Sequence, residues 1–351
     1  MNAHLTELGI SPFYMQQLTL AELEQCHLAR VTGVQRSGVT VNDGASESML
    51  SLAGIWFKLD PEQRPTVGDW VLLNQSRQQI VRVLQRKSVF KRVAAGEKIE
   101  IQLIAANIDT LFIVSSCNED FSESRLERYL AVAAEAQVDP VLVLTKADLV
   151  DEPDVYRQRA RLISATLMIE LVNALDRKSL SALQPWATPG STVALVGSSG
   201  VGKSTIVNSF SGAQRTATQA IREQDAKGRH TTSSRSLHRL PGGGLLIDLP
   251  GMRELKVAEL DSALEKVFDD IEMLAAGCRY NDCRHDQEPG CAVRLAIESG
   301  ELDGRRLKNY QKLIEEESRN SASLAERRSI ERKFGKVIKQ HLAFKKDKKQ
   351  F

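Results

Sequence analysis

The chain has 351 residues, 42% hydrophobic and 26% charged, which is more than one ordinary domain holds and excludes a disordered or low-complexity protein. No apolar run approaches the roughly 18 residues of a membrane helix, and no basic segment precedes an apolar stretch, so neither a membrane nor an export signal is expected and a cytoplasmic protein is. The net charge is only +2, yet residues 305–351 hold 15 Lys/Arg against 6 Asp/Glu, an excess that suits either a polyanionic partner or a solvated helical face.

Residues 1–28 read as a polar lead with some helical character. Over residues 29–96 the runs Val31–Val34, Val39–Val41, Trp70–Leu73 and Ile80–Leu84 are short, strand-like and separated by Gly, Asn and Asp. Strands without intervening helices predict a small β-barrel, of OB type by length, although an SH3-like barrel leaves nearly the same trace.

From residue 97 to 258 the texture changes to that of a doubly wound α/β domain. Thr110–Ser115, Val141–Leu144, Thr192–Val196 and Leu245–Ile247 are apolar runs of strands buried on both faces, and Met168–Val172 reads as a further strand of the same sheet. Ser124–Ala136, with Leu126, Leu130, Ala133 and Ala134 at helical spacing, and Val155–Leu167 are the predicted helices between the early strands.

The loops after these strands carry the chemistry. Thr145-Lys146-Ala147-Asp148 follows Val141–Leu144 and fits the [NT]KxD pattern of guanine readers. The Asp148 carboxylate can accept both guanine N1–H and N2–H₂, a donor pair that adenine lacks, while Lys146 packs its stem over the base. A further base contact is expected at a small turn at the next strand end. Ser164-Ala165 matches by letters but falls within a predicted helix, so Asn173-Ala174, after Met168–Val172, is preferred.

Thr192–Val196 runs directly into Gly197-Ser198-Ser199-Gly200-Val201-Gly202-Lys203-Ser204, a GxxxxGK[ST] phosphate loop. Its glycines let backbone N–H groups turn toward phosphate oxygens. Lys203 reaches the β- and γ-phosphates, Ser204 ligates Mg²⁺, and Thr205 opens the helix whose amino end faces the anion. Next, in a polar stretch from Gln214 to Ser236, Gly228-Arg229-His230-Thr231-Thr232 has the make-up of a first switch; either threonine suits the magnesium, with Thr232 preferred. Asp248-Leu249-Pro250-Gly251 then matches DxxG, with Asp248 in the magnesium shell and the Gly251 N–H at the γ-phosphate. Met252 stands where Ras-like GTPases place a water-orienting glutamine, which predicts slow intrinsic hydrolysis completed by a partner, with His230 the candidate orienting group.

The order of base motif, phosphate loop, switch and DxxG is circularly permuted relative to common GTPases. In a doubly wound sheet these loops share one carboxyl edge, so the site survives relocation of the termini.

Residues 259–351 read as a helical domain with a basic tail, interrupted by Cys278-x4-Cys283-x-His285-x5-Cys291. Three thiolates and one imidazole make a closed tetrahedral set for one structural zinc. His285 alone among the histidines lies within this knot, and Cys26 and Cys117, among apolar neighbours, read as core thiols.

With TKAD, GSSGVGKS, GRHTT and DLPG in this order, and Ala105–Asp109 (AANID) at the entry to the α/β domain, the chain resembles the ribosome small-subunit-dependent GTPases of the RsgA (YjeQ/EngC) family over about residues 30–300. That resemblance implies an OB barrel, a permuted GTPase and a zinc domain, with a role in late maturation of the 30S subunit, binding of 16S rRNA, stimulation by the subunit, and a monomer. Two departures are the lack of a strongly basic lead and Asn173 where the family usually has serine. A nucleotide-gated RNA-binding module with incidental turnover is the alternative; an ATPase is disfavoured by Asp148.

Overall fold

A computed structural model of the chain describes residues 3–35, 38–52, 54–93, 101–211, 235–248 and 261–321. The lead folds into three short helices, α1 (Ala3–Glu7), α2 (Pro12–Met15) and α3 (Leu20–Gln25). Thr19 starts α3 with a capping box: its Oγ1 accepts from the Glu22 N–H, and the Glu22 carboxylate accepts from the Thr19 N–H. Leu8, Ile10 and Tyr14 are buried against Trp70, Leu72 and Leu84, so the lead forms one wall of the domain that follows.

That domain comprises β1 (His27–Gln35), β2 (Gly38–Asn42), β3 (Glu47–Leu50), helix α4 (Gly54–Lys58), β4 (Trp70–Leu73) and β5 (Ile80–Val83). The hydrogen-bonded order is β3-β2-β1-β4-β5, with every pair antiparallel. Placing β4 beside β1 instead of β3 is a Greek-key crossover, which resolves the barrel as OB-type. Ala29, Val31, Val39, Val41, Val71 and Leu73 fill it, closed at one end by Trp56 of α4. A two-stranded hairpin, β6 (Val89–Val93) with β7 (Ile101–Ala106), then leads into the α/β layer.

The second layer has strands β8 (Thr110–Ser116), β9 (Asp139–Thr145), β10 (Met168–Val172), β11 (Thr192–Gly197), β12 (Arg235–Arg239) and β13 (Leu245–Asp248) in the order β10-β9-β8-β11-β13-β12. All neighbours are parallel except β12. Helix α5 (Glu123–Ala136) crosses between β8 and β9, α6 (Asp154–Arg161) between β9 and β10, α7 (Arg177–Leu180) precedes β11, and α8 (Lys203–Ser211) follows it. Successive strands step outward from β8 on one side and from β11 on the other. The β8–β11 seam is therefore the topological switch point, where such sheets open a ligand crevice.

Helix α6 is shorter than its sequence pattern predicts. It ends at Arg161, and the chain tightens through Ile163 N–H to Ala160 O and Ser164 N–H to Ala160 O before entering β10. Leu162, within the predicted helix, is 85% exposed, so nothing packs there to prolong it.

β12 pairs on its far side with β1 (Gly33 opposite Ser236, Val34 opposite Arg235), so barrel and α/β layer share one continuous eleven-stranded sheet among the described residues. Arg30 clamps the same junction. It is 1% exposed, and its guanidinium donates to Leu8 O (2.5 Å), Gly68 O (3.2 Å), Asn107 O (3.0 Å) and Thr192 Oγ1 (2.9 Å). Lead, barrel and α/β layer thus meet on one side chain. Arg30→Ala should destabilise the chain by about 3 kcal/mol or more, because it opens a cavity and strips donors from buried acceptors. Urea unfolding checks this, and a loss below about 1 kcal/mol contradicts it.

The C-terminal region is helical: α9 (Asp261–Val267), α10 (Asp269–Ala275), α11 (Ala292–Glu298) and α12 (Gly304–Ser321). Phe268, Ile271, Val293, Leu307 and Leu313 join the cluster that also holds Leu126, Tyr129 and Ala133 of α5. The domain is therefore packed onto α5.

Candidate nucleotide site and zinc centre

The base-reading loop and the phosphate loop leave the sheet on either side of β8. Thr145 is the last residue of β9 and fully buried. Its Oγ1 donates to Val201 O at 2.6 Å, with Ser115 O 3.2 Å away, and its own carbonyl accepts from the Cys117 N–H at 2.9 Å. A single hydroxyl therefore stitches the TKAD segment to the middle of the glycine loop across 56 positions of chain. Lys146 then takes a left-handed φ of 58° and Ala147–Leu149 make one tight turn, which leaves Asp148 exposed beyond the sheet edge.

Gly197 ends β11 at φ 144°, where an added Cβ would lie 2.1 Å from Val114 O. Only glycine lets β11 sit in register beside β8 and still turn into the loop. The Lys203 ammonium donates to the carbonyls of Gly197 (2.8 Å) and Ser198, holding the lysine in the mouth of the loop. Ser199, Gly200 and Ser204 are exposed, while Val201 is buried beneath them as an anchor. The Ile206 N–H donates to Gly202 O at 2.9 Å, so α8 is wound from its first turn and Thr205 lies within that turn.

Asn173 follows β10 directly. Its Oδ1 accepts from the Leu175 N–H (2.9 Å) in an Asx turn, and its N–H donates to Ser179 Oγ (2.8 Å). The Ala174 carbonyl accepts from Ser209 Oγ of α8 (3.1 Å), which ties this turn to the helix behind the phosphate loop. Ser164 and Ala165 precede β10, at the opposite edge. The backbone of Asp248 ends β13 beside β11 and β12. Gly228, His230, Thr231, Thr232, Gly251 and Met252 lie outside the described residues, as does the tail beyond residue 321.

Arg125 was not legible as a site residue. Its guanidinium donates to Ser198 Oγ, the second position of the phosphate loop, and to Asp120 O at 2.7 Å. No motif announces it, because the contact joins residues 73 positions apart.

In the C-terminal region the ligand atoms of Cys278, Cys283, His285 and Cys291 all lie within 4.8 Å of one another. Cys278 Sγ is 3.9 Å from Cys291 Sγ and 3.6 Å from His285 Nδ1, and His285 Nδ1 is 3.4 Å from Cys291 Sγ. Tetrahedral zinc with Zn–S of about 2.3 Å and Zn–N of about 2.0 Å requires edges near 3.5–3.8 Å, which the three edges among Cys278, His285 and Cys291 match closely, so the donor set suits the ion. Positive φ at His285 (62°) and Gly290 (76°) lets fourteen residues curl around one point. Glu288, unremarked in the sequence, accepts backbone N–H groups of Arg284, Asp286 and Gln287, which hold its pKa down to about 2 and brace the turn.

The sequence pattern of the RsgA GTPase family matches residues 83–258, which span the base motif, the phosphate loop and DxxG. The chain is 49% identical to the small ribosomal subunit biogenesis GTPase RsgA 2 of Vibrio parahaemolyticus, over 99% of this chain and 95% of that protein. The chain belongs to the RsgA GTPase family. An RsgA of Mesorhizobium japonicum is 43% identical, over 90% of this chain and 91% of its own. Among solved structures, YjeQ from Thermotoga maritima is similar with a TM-score of 0.61 at 24% identity, over 83% of this chain and 98% of that one. YloQ, described as a circularly permuted GTPase, follows with 0.58 at 23%, over 85% of this chain and 96% of that one. As a member of this family the chain is a GTP-hydrolysing enzyme. Its fold is that of the permuted RsgA proteins: OB-type barrel, α/β GTPase layer and helical region with a Cys₃His cluster. No described helix is long and apolar enough to cross a membrane.

Proposed function

We propose that this chain couples GTP hydrolysis to late maturation of the small ribosomal subunit, binding 16S rRNA as a cytoplasmic monomer that the 30S subunit stimulates. The observation that carries the nucleotide reading is the Thr145–Val201 hydrogen bond, which holds base loop and phosphate loop at one sheet edge. Relatives whose names describe small ribosomal subunit biogenesis, similar over nearly the full chain, support the partner.

In this reading Asp148 accepts the guanine N1–H and N2–H₂, Lys146 covers the base, and the Asn173–Ala174 turn lies against its edge. The backbone of Gly197–Lys203 cradles the phosphates, Lys203 spreads positive charge toward the β- and γ-oxygens, and Thr205 sits at the helix end facing them. Ser204, Asp248 and Thr232 are the residues that would hold magnesium, which when bound neutralises charge on the phosphate oxygens. The Gly251 N–H reports the γ-phosphate, and His230 orients the attacking water in place of the glutamine that Met252 replaces. One zinc per chain stabilises the C-terminal domain. The division of labour follows residues 29–96 as barrel, 97–258 as GTPase and 259–351 as zinc domain, with barrel and tail facing RNA.

GTP turnover with and without purified 30S subunits tests the proposal. Stimulation of about tenfold or more is expected, as partners that complete a GTPase site give larger factors still. Unchanged turnover contradicts the ribosomal assignment. His230→Ala should lose most of the stimulated rate, and wild-type turnover in that variant removes His230 from the mechanism.

A further inference from the structure

Helix α5 touches two things at once. Its N-cap, Ser122, accepts from the Arg125 N–H, and the Arg125 side chain leaves the first turn toward the phosphate loop. There it is held at both terminal nitrogens: Nη2 donates to the Asp120 carbonyl at 2.7 Å, and Nη1 lies 3.1 Å from the Asp120 carboxylate while donating to Ser198 Oγ. Two and three residues further along the same helix, Glu127 and Arg128 face α12. Glu127 is 0% exposed and accepts from Arg305 (3.0 and 3.1 Å), Arg306 (3.1 Å) and Asn309 (2.5 Å). Arg128 forms a two-pronged pair with Glu316 at 2.7 and 2.5 Å, which lowers the Glu316 pKa and raises that of Arg128.

Three contacting residues, Arg125, Glu127 and Arg128, therefore sit within one turn of one helix, with about 1.5 Å of rise per residue between them. A helical turn does not deform over that length, so a shift of α12 against α5 moves the Arg125 anchor as well. We propose that Arg125 is a positioning residue that holds the phosphate loop through Ser198, and that α5 makes this hold depend on the docking of α12. The C-terminal domain then sets nucleotide affinity from behind the loop. This rests on the phosphate loop binding nucleotide.

The test is a double-mutant cycle read by mant-GDP affinity and release on the full chain. Arg125→Ala should weaken mant-GDP by about tenfold, the value of one charge-assisted hydrogen bond, without lowering the Tm of the nucleotide-free protein. Arg125→Lys, which keeps the charge and one donor nitrogen, should recover at least half of that loss on a logarithmic scale. Glu316→Gln, remote from the loop, should weaken mant-GDP by about threefold, within the range of coupling through packed elements. The double variant should bind no worse than Arg125→Ala alone, because both changes release the same anchor. Wild-type affinity in Arg125→Ala overturns the positioning role, and losses that multiply in the double variant overturn the relay. Failure of the wild-type chain to bind mant-GDP would instead overturn the nucleotide reading, and the relay with it.

Discussion

Asp148→Asn should weaken binding of GDP and GTP by about a thousandfold while the fold stays intact. Asp148 is exposed at the end of β9, in a turn whose position is set by Thr145 and not by its own side chain, so the substitution leaves packing untouched. Its effect is confined to the base. A carboxylate accepts two N–H groups from guanine; the amide presents its own N–H₂ to one of them, replacing an attraction by a clash of donors. Xanthine carries a carbonyl where guanine has its amino group, so the variant should prefer xanthosine diphosphate over GDP. Titration calorimetry with GDP, ADP and xanthosine diphosphate reads the outcome. An Asp148→Asn protein that binds GDP as the wild type does would remove the guanine assignment.

Cys291→Ala should unfold the C-terminal helices and release the zinc. Cys291 is doubly placed: its thiol is one corner of the donor set, and it is 3% exposed at the start of α11, inside the cluster holding Phe268, Val293, Leu307 and Leu313. Residues 278–291 form little regular structure, so their cohesion comes from the metal, whose binding to such sites is worth about 10 kcal/mol or more. Metal analysis should find one zinc per chain in the wild type and none in the variant, with a matching loss of helical circular dichroism. A strong chelator should reproduce the change in the wild-type protein. Native dichroism after complete chelation would show that the cluster is not a structural metal site. By the α5 contacts, the same variant should also loosen nucleotide.

Both of these sites were legible before any fold was known, for a shared reason. A phosphate cradle, a guanine-reading turn and a zinc knuckle are each built from one short contiguous stretch, so their chemistry is written as spacing. The four inner parallel strands were legible too, because strands buried on both faces are apolar throughout; β10, at the sheet edge, carries Glu170 and is buried only at Val172. β12 was not: Arg235–Arg239 reads RSLHR, and its single apolar residue, Leu237, makes no pattern. It is a strand because β13 and β1 offer it hydrogen-bonding edges on both sides, and a backbone with two such partners needs little help from its side chains.

The sequence by itself determined the nucleotide class, the permuted order of the loops and the Cys₃His set that could hold a metal, since local segments carry those properties wherever they are placed. Tertiary structure alone decided how the parts join: the β1–β12 ladder that fuses barrel to GTPase sheet, Arg30 buried where three segments meet, and α5 gripping Ser198 through Arg125 and α12 through Glu127 and Arg128. Each of these pairs residues scores or hundreds of positions apart. Such contacts depend on where the folded chain brings charges and strand edges into reach, and no local pattern records that distance.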